Sequence, residues 1–154
     1  MLAQQGQAQE GIEQLRQGLI ALHASGIEIA RLYFLALLAE AYGTSGQPAA
    51  GLAVLVEALT RLDTTRDRWY EPELYRLKGA LLLQQSADKH AEAQTCFHAA
   101  LDVARLQQAR SLELRAAMSL ARRWQQQGKR TEAYELLAPV YGWFTEGFDT
   151  CGPQ

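Results

Sequence analysis

The sequence predicts an all-α fold, an α-solenoid in which about seven helices pack as antiparallel hairpins. Ala, Leu, Gln, Glu and Arg dominate the 154 residues. Such side chains, unbranched at Cβ, lose little rotamer freedom in a helix. Apolar residues also recur at helical spacing along most of the chain. The third observation is an internal repeat of about 40 residues, which is typical of stacked helical units.

Composition and charge narrow the class of protein. Apolar residues make up 48% of the chain and the formal net charge is −2, so no overall positive field favours nucleic-acid phosphates. The N-terminal "MLAQQGQAQE" lacks the basic and apolar regions of a signal peptide. The most apolar window, "IARLYFLALLAEAY", is too short to span a bilayer. Because Cys96 and Cys151 are the only cysteines, we expect no disulfide framework and a cytoplasmic location.

Four segments align without gaps, and each pairs a small residue with a large apolar residue four positions later. They begin at Gly6, Gly46, Asp88 and Gly128, which are 40 to 42 residues apart. A side chain larger than Ala would hold two crossing helices apart, so the small positions predict close helix crossings. The small and large residues of the four segments are Gly11 and Leu15, Gly51 and Leu55, Ala93 and Phe97, and Ala133 and Leu137.

These segments define the predicted elements in chain order. The first segment gives a lone helix near residues 5–24, and each later segment follows a second amphipathic helix. We call the first helix of each resulting hairpin the A helix and the second the B helix. Short polar links, "TSGQP", "SADKH" and "QQGKR", join them. The predicted organisation is a half repeat at 1–25, hairpins at 27–66, 69–109 and 111–149, and a disordered tail at 150–154.

The last B helix contains a proline and a cluster of aromatic residues, "LLAPVYGWFTEGFDT". Pro139 has no N–H to donate to the carbonyl of Glu135, which predicts a kink or break there. A terminal repeat needs a modified outer face. We therefore expect the aromatic residues to cover the open end of the array, with a ligand site as the alternative interpretation. They are Tyr141, Trp143, Phe144 and Phe148.

The repeat resembles the tetratricopeptide repeat (TPR) family, whose motif reads L-G-x2-Y, then a turn Gly, then A-x3-F-x2-A. The resemblance covers nearly the whole chain and implies a right-handed solenoid. The family period is 34, so longer helices or links are expected here. The matching residues are Leu38, Ala39, Tyr42, Gly46, Gly51, Leu55 and Ala58; Gly79, Leu82, Ala93, Phe97 and Ala100; and Leu120, Ala121, Trp124, Gly128, Ala133 and Leu137.

A narrower resemblance concerns bacterial signalling proteins. The stretches "AEAYGTSGQPAAGLAVLVEAL", "WYEPELYRLKGALLLQQ" and "SLELRAAMSLARRWQQQGKRTEAYELLAPVYGWFTEGFDT" are similar to the C-terminal TPR region of proteins that join an adenylate/guanylate cyclase domain to a STAND-type ATPase. That resemblance implies a sensor or regulatory segment. The sequence contains neither the cyclase nor the ATPase.

No pattern for catalysis, cofactor binding or metal binding emerges. "GKRT" from Gly128 lacks the first glycine of a phosphate loop and reads as a polar turn. Cys96, His98 and His90 offer too few converging ligands for zinc, and a buried thiol with solvated imidazoles is the simpler interpretation. No nucleophile has an activating base nearby in a known motif. We therefore expect a protein that is not an enzyme and carries no cofactor or metal.

One basic stretch, "ARRWQQQGKR", resembles a nucleic-acid contact at first sight. Trp124, however, falls on a core position of the repeat, and the cations surround a helix C-terminus, where they favourably meet the helix dipole. We expect neither a nucleic-acid nor a membrane partner.

The A helices line the concave face of stacked hairpins, so that face is the predicted binding groove. Arg76, Arg115 and Arg122 could present forked donors to an acidic peptide, or could simply be solvated. The prediction is a non-catalytic protein–protein interaction scaffold; a sensor segment is the alternative. The predicted groove residues are Tyr33, Ala36, Glu40, Glu73, Arg76, Ala80, Arg115, Met118, Arg122 and Gln125.

Self-association is a further expectation. The first helix lacks an A-helix partner, so its apolar stripe is predicted to be covered on one side only. Because part of the stripe is exposed, we expect a homodimer or an end-to-end assembly. It would form through this helix or through the aromatic C-terminal end. The stripe consists of Ile12, Leu15, Leu19 and Leu22.

Overall fold

The computed structural model describes residues 2–25, 29–62 and 68–150, and those residues are helical apart from short turns. The all-α prediction is confirmed. Residues 151–154 of the predicted tail lie outside the described residues, and Thr150 ends the last helix. The described helices are α1 Leu2–Ser25, α2 Ile29–Thr44, α3 Pro48–Leu62, α4 Glu71–Gln85, α5 His90–Leu106, α6 Arg110–Gln126 and α7 Arg130–Thr150, with a 3-10 turn at Ala87–Lys89.

The helices are arranged in two rows. Each helix packs against the next one in the chain, and α4 also packs directly against α2 and α6. Within the described ranges, no two odd-numbered helices approach to 8 Å between Cα atoms. The even-numbered helices, which are the predicted A helices, therefore form a contiguous row, and the odd-numbered helices pack against this row without contacting one another.

The apolar stripe of α1 packs against α2. Ile12 is only 1% exposed, and it lies in a cluster with Leu38 and Tyr42. Leu15 and Leu19 are partly buried against the same cluster. Ile12, Leu15 and Leu19 of the stripe thus pack within the chain, and the self-association of α1 stays a prediction.

Small residues mark the helix crossings, as the repeat predicts. A Cβ atom on Gly79 would lie 2.7 Å from Phe97 Cε1 and 3.0 Å from the carbonyl oxygen of Ala93. Both are too close for a carbon atom, so only glycine permits this approach of α4 to α5. The turn glycines Gly46 and Gly128 both have φ +81, a left-handed conformation that other residues rarely adopt.

Of the kink or break predicted at Pro139, the break is wrong, because α7 continues through Pro139 to Thr150, and the kink stays a prediction. A proline inside a helix removes one hydrogen bond, and here the affected Glu135 and Pro139 are both exposed, so water can reach the freed carbonyl. Ala133 and Val140 are buried on either side of the proline. Packing therefore holds both halves of the helix in place.

Substituting Pro139→Ala is expected to raise the free energy of unfolding by about 1–3 kcal/mol, because it restores the missing hydrogen bond and removes a ring clash. Urea denaturation followed by circular dichroism measures the change. Pro48→Ala is the matched control: Pro48 begins α3, where no N–H partner is needed, so its effect is expected to be small. Equal midpoints for Pro139→Ala and the parent chain would contradict the explanation.

Candidate functional site

Most of the predicted groove residues lie exposed on the even-numbered helices. We call this region the α2–α4–α6 surface. Tyr33 is 40% exposed and Met118 is 45% exposed, which is unusual for such large side chains. Ala36 and Glu73 are buried, contrary to the prediction, and Arg76 is partly buried. The exposed members are Tyr33, Glu40, Ala80, Arg115, Met118, Arg122 and Gln125.

Glu73 is buried because two arginines surround its carboxylate. Its side chain is 2% exposed. Arg76, one turn further along α4, donates from Nε to Oε2 at 3.0 Å and from Nη2 to Oε1 at 2.5 Å. Arg115 on α6 places Nη2 3.0 Å from Oε1. A buried carboxylate is stable only when it is paired and hydrogen-bonded in this way. The three side chains thus join α4 to α6.

This arrangement corrects the predicted arginine cluster. Arg76 and Arg115 are both bound to Glu73, so only Arg122 of the three forms no hydrogen bond or ion pair with a described residue. The sequence indicates the ion pair between Glu73 and Arg76, because the two residues are spaced i, i+3 on one helix. The contact between Glu73 and Arg115 depends on the distance between two helices, which spacing does not give.

Two aromatic residues that sequence reasoning missed adjoin this ion-pair cluster. Tyr70 precedes α4, and its ring lies 5.5 Å from that of Tyr33 in an edge-on contact. Trp69 stacks obliquely on Tyr70 at 4.8 Å and is half exposed. Burial, and then the charge of Glu73, raises the pKa of the Tyr70 hydroxyl, so it remains protonated at neutral pH. Both residues lie between α3 and α4, outside the helices, so helical periodicity in the sequence does not point to them.

The α6–α7 cleft is a second candidate site. It has a volume of about 510 Å³. Arg122 and Arg130 contribute positive charge, no acidic residue lines it, and neither arginine pairs with a described residue. Three residues of the α2–α4–α6 surface also line this cleft and so face α7. They are Met118, Arg122 and Gln125. The lining residues are Met118, Ala121, Arg122, Gln125, Arg130, Ala133, Tyr134 and Leu137.

None of Tyr141, Trp143 and Phe144 at the aromatic C-terminal end lines this cleft, and their role as a cover for the open end of the array stays a prediction. Trp143 lies under the guanidinium of Arg110 at the start of α6, 5.3 Å from ring centroid to Cζ. Phe144 packs partly into the core, and Tyr141 is exposed. The side chain of Phe148 lies outside the described residues. These aromatic residues lie away from the cleft because α7 runs antiparallel to α6. The residues after Pro139 therefore lie near the start of α6, whereas Gln125 lies near its end.

No set of three or more His, Cys, Asp or Glu side chains among the described residues could hold a metal ion. Cys96 is buried, and burial raises the pKa of its thiol. His90 lies against Arg123, while His98 is exposed beside Trp124. No described helix is long and apolar enough to cross a membrane.

The raised pKa of Tyr70 predicts a stability change at alkaline pH. Well below pH 10 the hydroxyl is protonated in both folded and unfolded chains. Above that pH the unfolded chain loses this proton first, so the free energy of unfolding falls. Tyr70→Phe is expected to remove part of this loss, at most about 1.4 kcal/mol for each pKa unit of the shift. Urea denaturation at about pH 9 and about pH 11 measures it. The control is Tyr134→Phe at an exposed tyrosine, and equal pH dependence of all three chains would contradict the prediction.

Comparison of the chain with protein-family models, with curated proteins and with solved structures gives no match. The fold and site define an all-α protein of helical-repeat character.

Proposed function

We propose that this chain is a non-catalytic protein–protein interaction scaffold, a right-handed TPR-like α-solenoid that binds a partner segment along the α2–α4–α6 surface. The two-row arrangement supports the solenoid. Direct contact between neighbouring even-numbered helices, with the odd-numbered helices held apart, is the arrangement expected when stacked hairpins curve around the even row. In such an array the even-numbered helices line the concave side.

The observation that carries the proposal is the exposure of large interface-type side chains on this one surface. Tyr33 and Met118 are exposed there beside Arg115 and Arg122. Aromatic residues, Met and Arg are enriched at protein interfaces because they combine large contact area with directed hydrogen bonds. A polypeptide segment laid across the even-numbered helices would contact all four.

The charges favour a segment that carries at least one acidic group. Arg115 uses Nη2 on Glu73, and its side chain is 49% exposed, so its other donors face solvent. A guanidinium has five N–H donors, and those left over can bind a second carboxylate. Arg122 is not paired with a described residue and adds a second donor group. An acidic group of the bound segment therefore contacts Arg115 or Arg122, whereas Arg76 is already bound to Glu73.

A peptide-display library selected on the full chain supplies ligands with which to test the proposal. Ala80 is exposed at the middle of the even row, so Ala80→Trp is expected to block a bound segment without disturbing the core. Ala53→Trp, on the exposed face of α3, is the matched control. Selected peptides are expected to lose at least about tenfold in affinity, about 1.4 kcal/mol, on Ala80→Trp and to be unaffected by Ala53→Trp. Equal affinities for both variants would overturn the proposal.

The alternative function is a sensor or regulatory segment of a bacterial cyclase or STAND-type ATPase signalling protein. The resemblance of "AEAYGTSGQPAAGLAVLVEAL" and the last helix to the TPR regions of such proteins supports it. The genomic reading frame tests it: a cyclase or ATPase encoded in frame with this segment is the expected result. A frame without either domain would leave the general scaffold as the function.

A further inference from the structure

Another cleft lies on the other side of α2, between α1 and α3. It has a volume of about 570 Å³. Within the described ranges α1 and α3 do not approach to 8 Å between Cα atoms, so they leave a groove along α2. Leu35 and Leu38 line it, and they lie on the opposite face of α2 from Tyr33 and Glu40, because a helix has about 3.6 residues per turn. We call this groove the α1–α2–α3 cleft. Its apolar lining residues are Leu19, Ile20, Leu35, Leu38, Tyr42 and Val54.

The internal repeat places no described helix over this face of the array. Arg16 and Ile20 of α1 line the cleft, and they stand 40 positions before Val56 and Thr60 of α3. Both of these α3 residues are exposed, although α3 packs against α2 on one side and α4 on the other. The cleft therefore lies on a face that the array leaves open even in its interior. A further helix stacked on either end of the array would not cover it.

Arg31 brings a buried positive charge to the cleft at the start of α2. Its side chain is 12% exposed, and its Nε has no hydrogen-bond partner among the described residues. Nη1 donates to Nδ1 of His23 at 2.8 Å, and Nη2 lies 3.4 Å from Oε1 of Glu57. That carboxylate is half exposed and also lies 3.4 Å from Nε of Arg61. A buried charge is stable when it is closely paired, so the compensation of Arg31 is incomplete.

Arg76 shows what full compensation of an equally buried arginine looks like. Its side chain is 15% exposed, and Nε and Nη2 both donate to Glu73, at 3.0 Å and 2.5 Å. Arg31 has no such two-fold contact with a carboxylate. The later repeats place Glu71 and Glu113, both buried, at the position of Arg31, so a buried cation at this position is peculiar to the first repeat. The group that the first repeat lacks is a second carboxylate.

We propose that the α1–α2–α3 cleft binds a small amphiphile with one carboxylate and an unbranched apolar chain. The carboxylate binds Arg31, where it displaces the exposed imidazole of His23. The apolar chain lies along Leu35 and Leu38, between α1 and α3. Arg16 forms no ion pair with a described residue and adds positive charge at the α1 wall. The proposal goes beyond the interaction scaffold and does not depend on it, since no exposed residue of the α2–α4–α6 surface lines this cleft.

The dimensions of the cleft favour a small ligand over a helix of a partner protein. A helix with its side chains is about 10–12 Å across, so a volume of about 570 Å³ holds only about one turn. The same volume is within the range of small-molecule sites. From Arg31 to Tyr42 the floor of the cleft extends for about 16 Å along α2. An extended chain of about eight to ten carbon atoms fits within that length.

Octanoate, used below its micelle-forming concentration, is the probe for this site. Titration of the full ¹⁵N-labelled chain, followed by NMR, measures both the affinity and the place of binding. Amide shifts are expected in α1, α2 and α3. Octanol has the same chain without the charge and is expected to bind at least about tenfold more weakly. Equal binding of the two compounds, shifts spread over α4 to α7, or no shifts would overturn the proposal.

Variants of the chain complete the test. Arg31→Gln is expected to weaken octanoate binding about tenfold and to leave octanol binding unchanged. Arg123→Gln is the matched control: Arg123 also has a buried Nε without a partner and a histidine, His90, beside it, but it lies on α6. Ile20→Glu, at a residue that is 71% exposed, adds negative charge to the cleft wall without removing buried contacts and should weaken octanoate as much. It decides the question if circular dichroism shows that Arg31→Gln does not fold. Unchanged octanoate affinity in Ile20→Glu, or an equal loss in Arg31→Gln and Arg123→Gln, contradicts the assignment.

Discussion

Glu73→Ala is expected to lower the free energy of unfolding by about 3 kcal/mol, a large fraction of the stability of a domain of this size. The substitution leaves Arg76, whose side chain is 15% exposed, without the carboxylate that binds two of its N–H groups. It also releases Arg115, so the polar link between α4 and α6 is lost. An unpaired guanidinium in a partly buried site costs more than the pair itself contributes, because the desolvation remains uncompensated. Urea denaturation measures the change.

Glu57→Ala is the matched control for this prediction. Glu57 also contacts two arginines, Arg31 and Arg61, each at 3.4 Å, but its side chain is 48% exposed. Exposed ion pairs contribute less than about 1 kcal/mol, so a small effect is expected. If Glu73→Ala and Glu57→Ala shifted the urea midpoint equally, burial would not be what distinguishes the two carboxylates.

Gly79→Leu is expected to destabilise the chain by about 3 kcal/mol or more, since it forces a side chain into a space where even a Cβ cannot fit. The two nearest groups are the ring of Phe97, itself buried, and the backbone oxygen of Ala93. The backbone oxygen cannot rotate away as a flexible side chain would. α4 must therefore move away from α5, which opens the core on which the helix array depends.

Gly142→Leu on α7 tests whether the effect comes from space and not from the loss of glycine. No heavy atom lies within 4 Å of a Cβ built on Gly142, so leucine is expected to be tolerated and, as a better helix former, to be neutral or stabilising. Thermal unfolding followed by circular dichroism compares the two variants. A similar fall in midpoint for both would contradict a steric origin at Gly79.

The number and order of the helices could be predicted because the periodic apolar pattern and the small residues are local signals. Gly79 and Ala93 mark a close crossing in the sequence as they do in the structure. The sequence could not predict that the helix continues through Pro139. Whether it does depends on the cost of one lost hydrogen bond compared with the packing on both sides of the proline. Burial, which the sequence does not give, decided that comparison.

The candidate site was predicted in outline, and its electrostatics were not. Exposure of Tyr33, Met118 and Arg122 followed from helical periodicity, because the repeat fixes which side of each A helix faces away from the B helices. The pairing of Glu73 with Arg115 requires the distance between α4 and α6, which no spacing within one helix contains. The α6–α7 cleft was hidden for the same reason, since Arg122 and Arg130 lie on different helices.

Hydrogen–deuterium exchange of the full chain, with and without a peptide selected from the display library, tests the proposed binding surface most directly. A segment laid across the even-numbered helices should slow amide exchange in α2, α4 and α6, with the largest effect in α4 at the middle of the row. Exchange in α3 and α5 should change little. Protection confined to the odd-numbered helices, or no change in any described helix, would contradict the account of this chain as a scaffold that binds through its α2–α4–α6 surface.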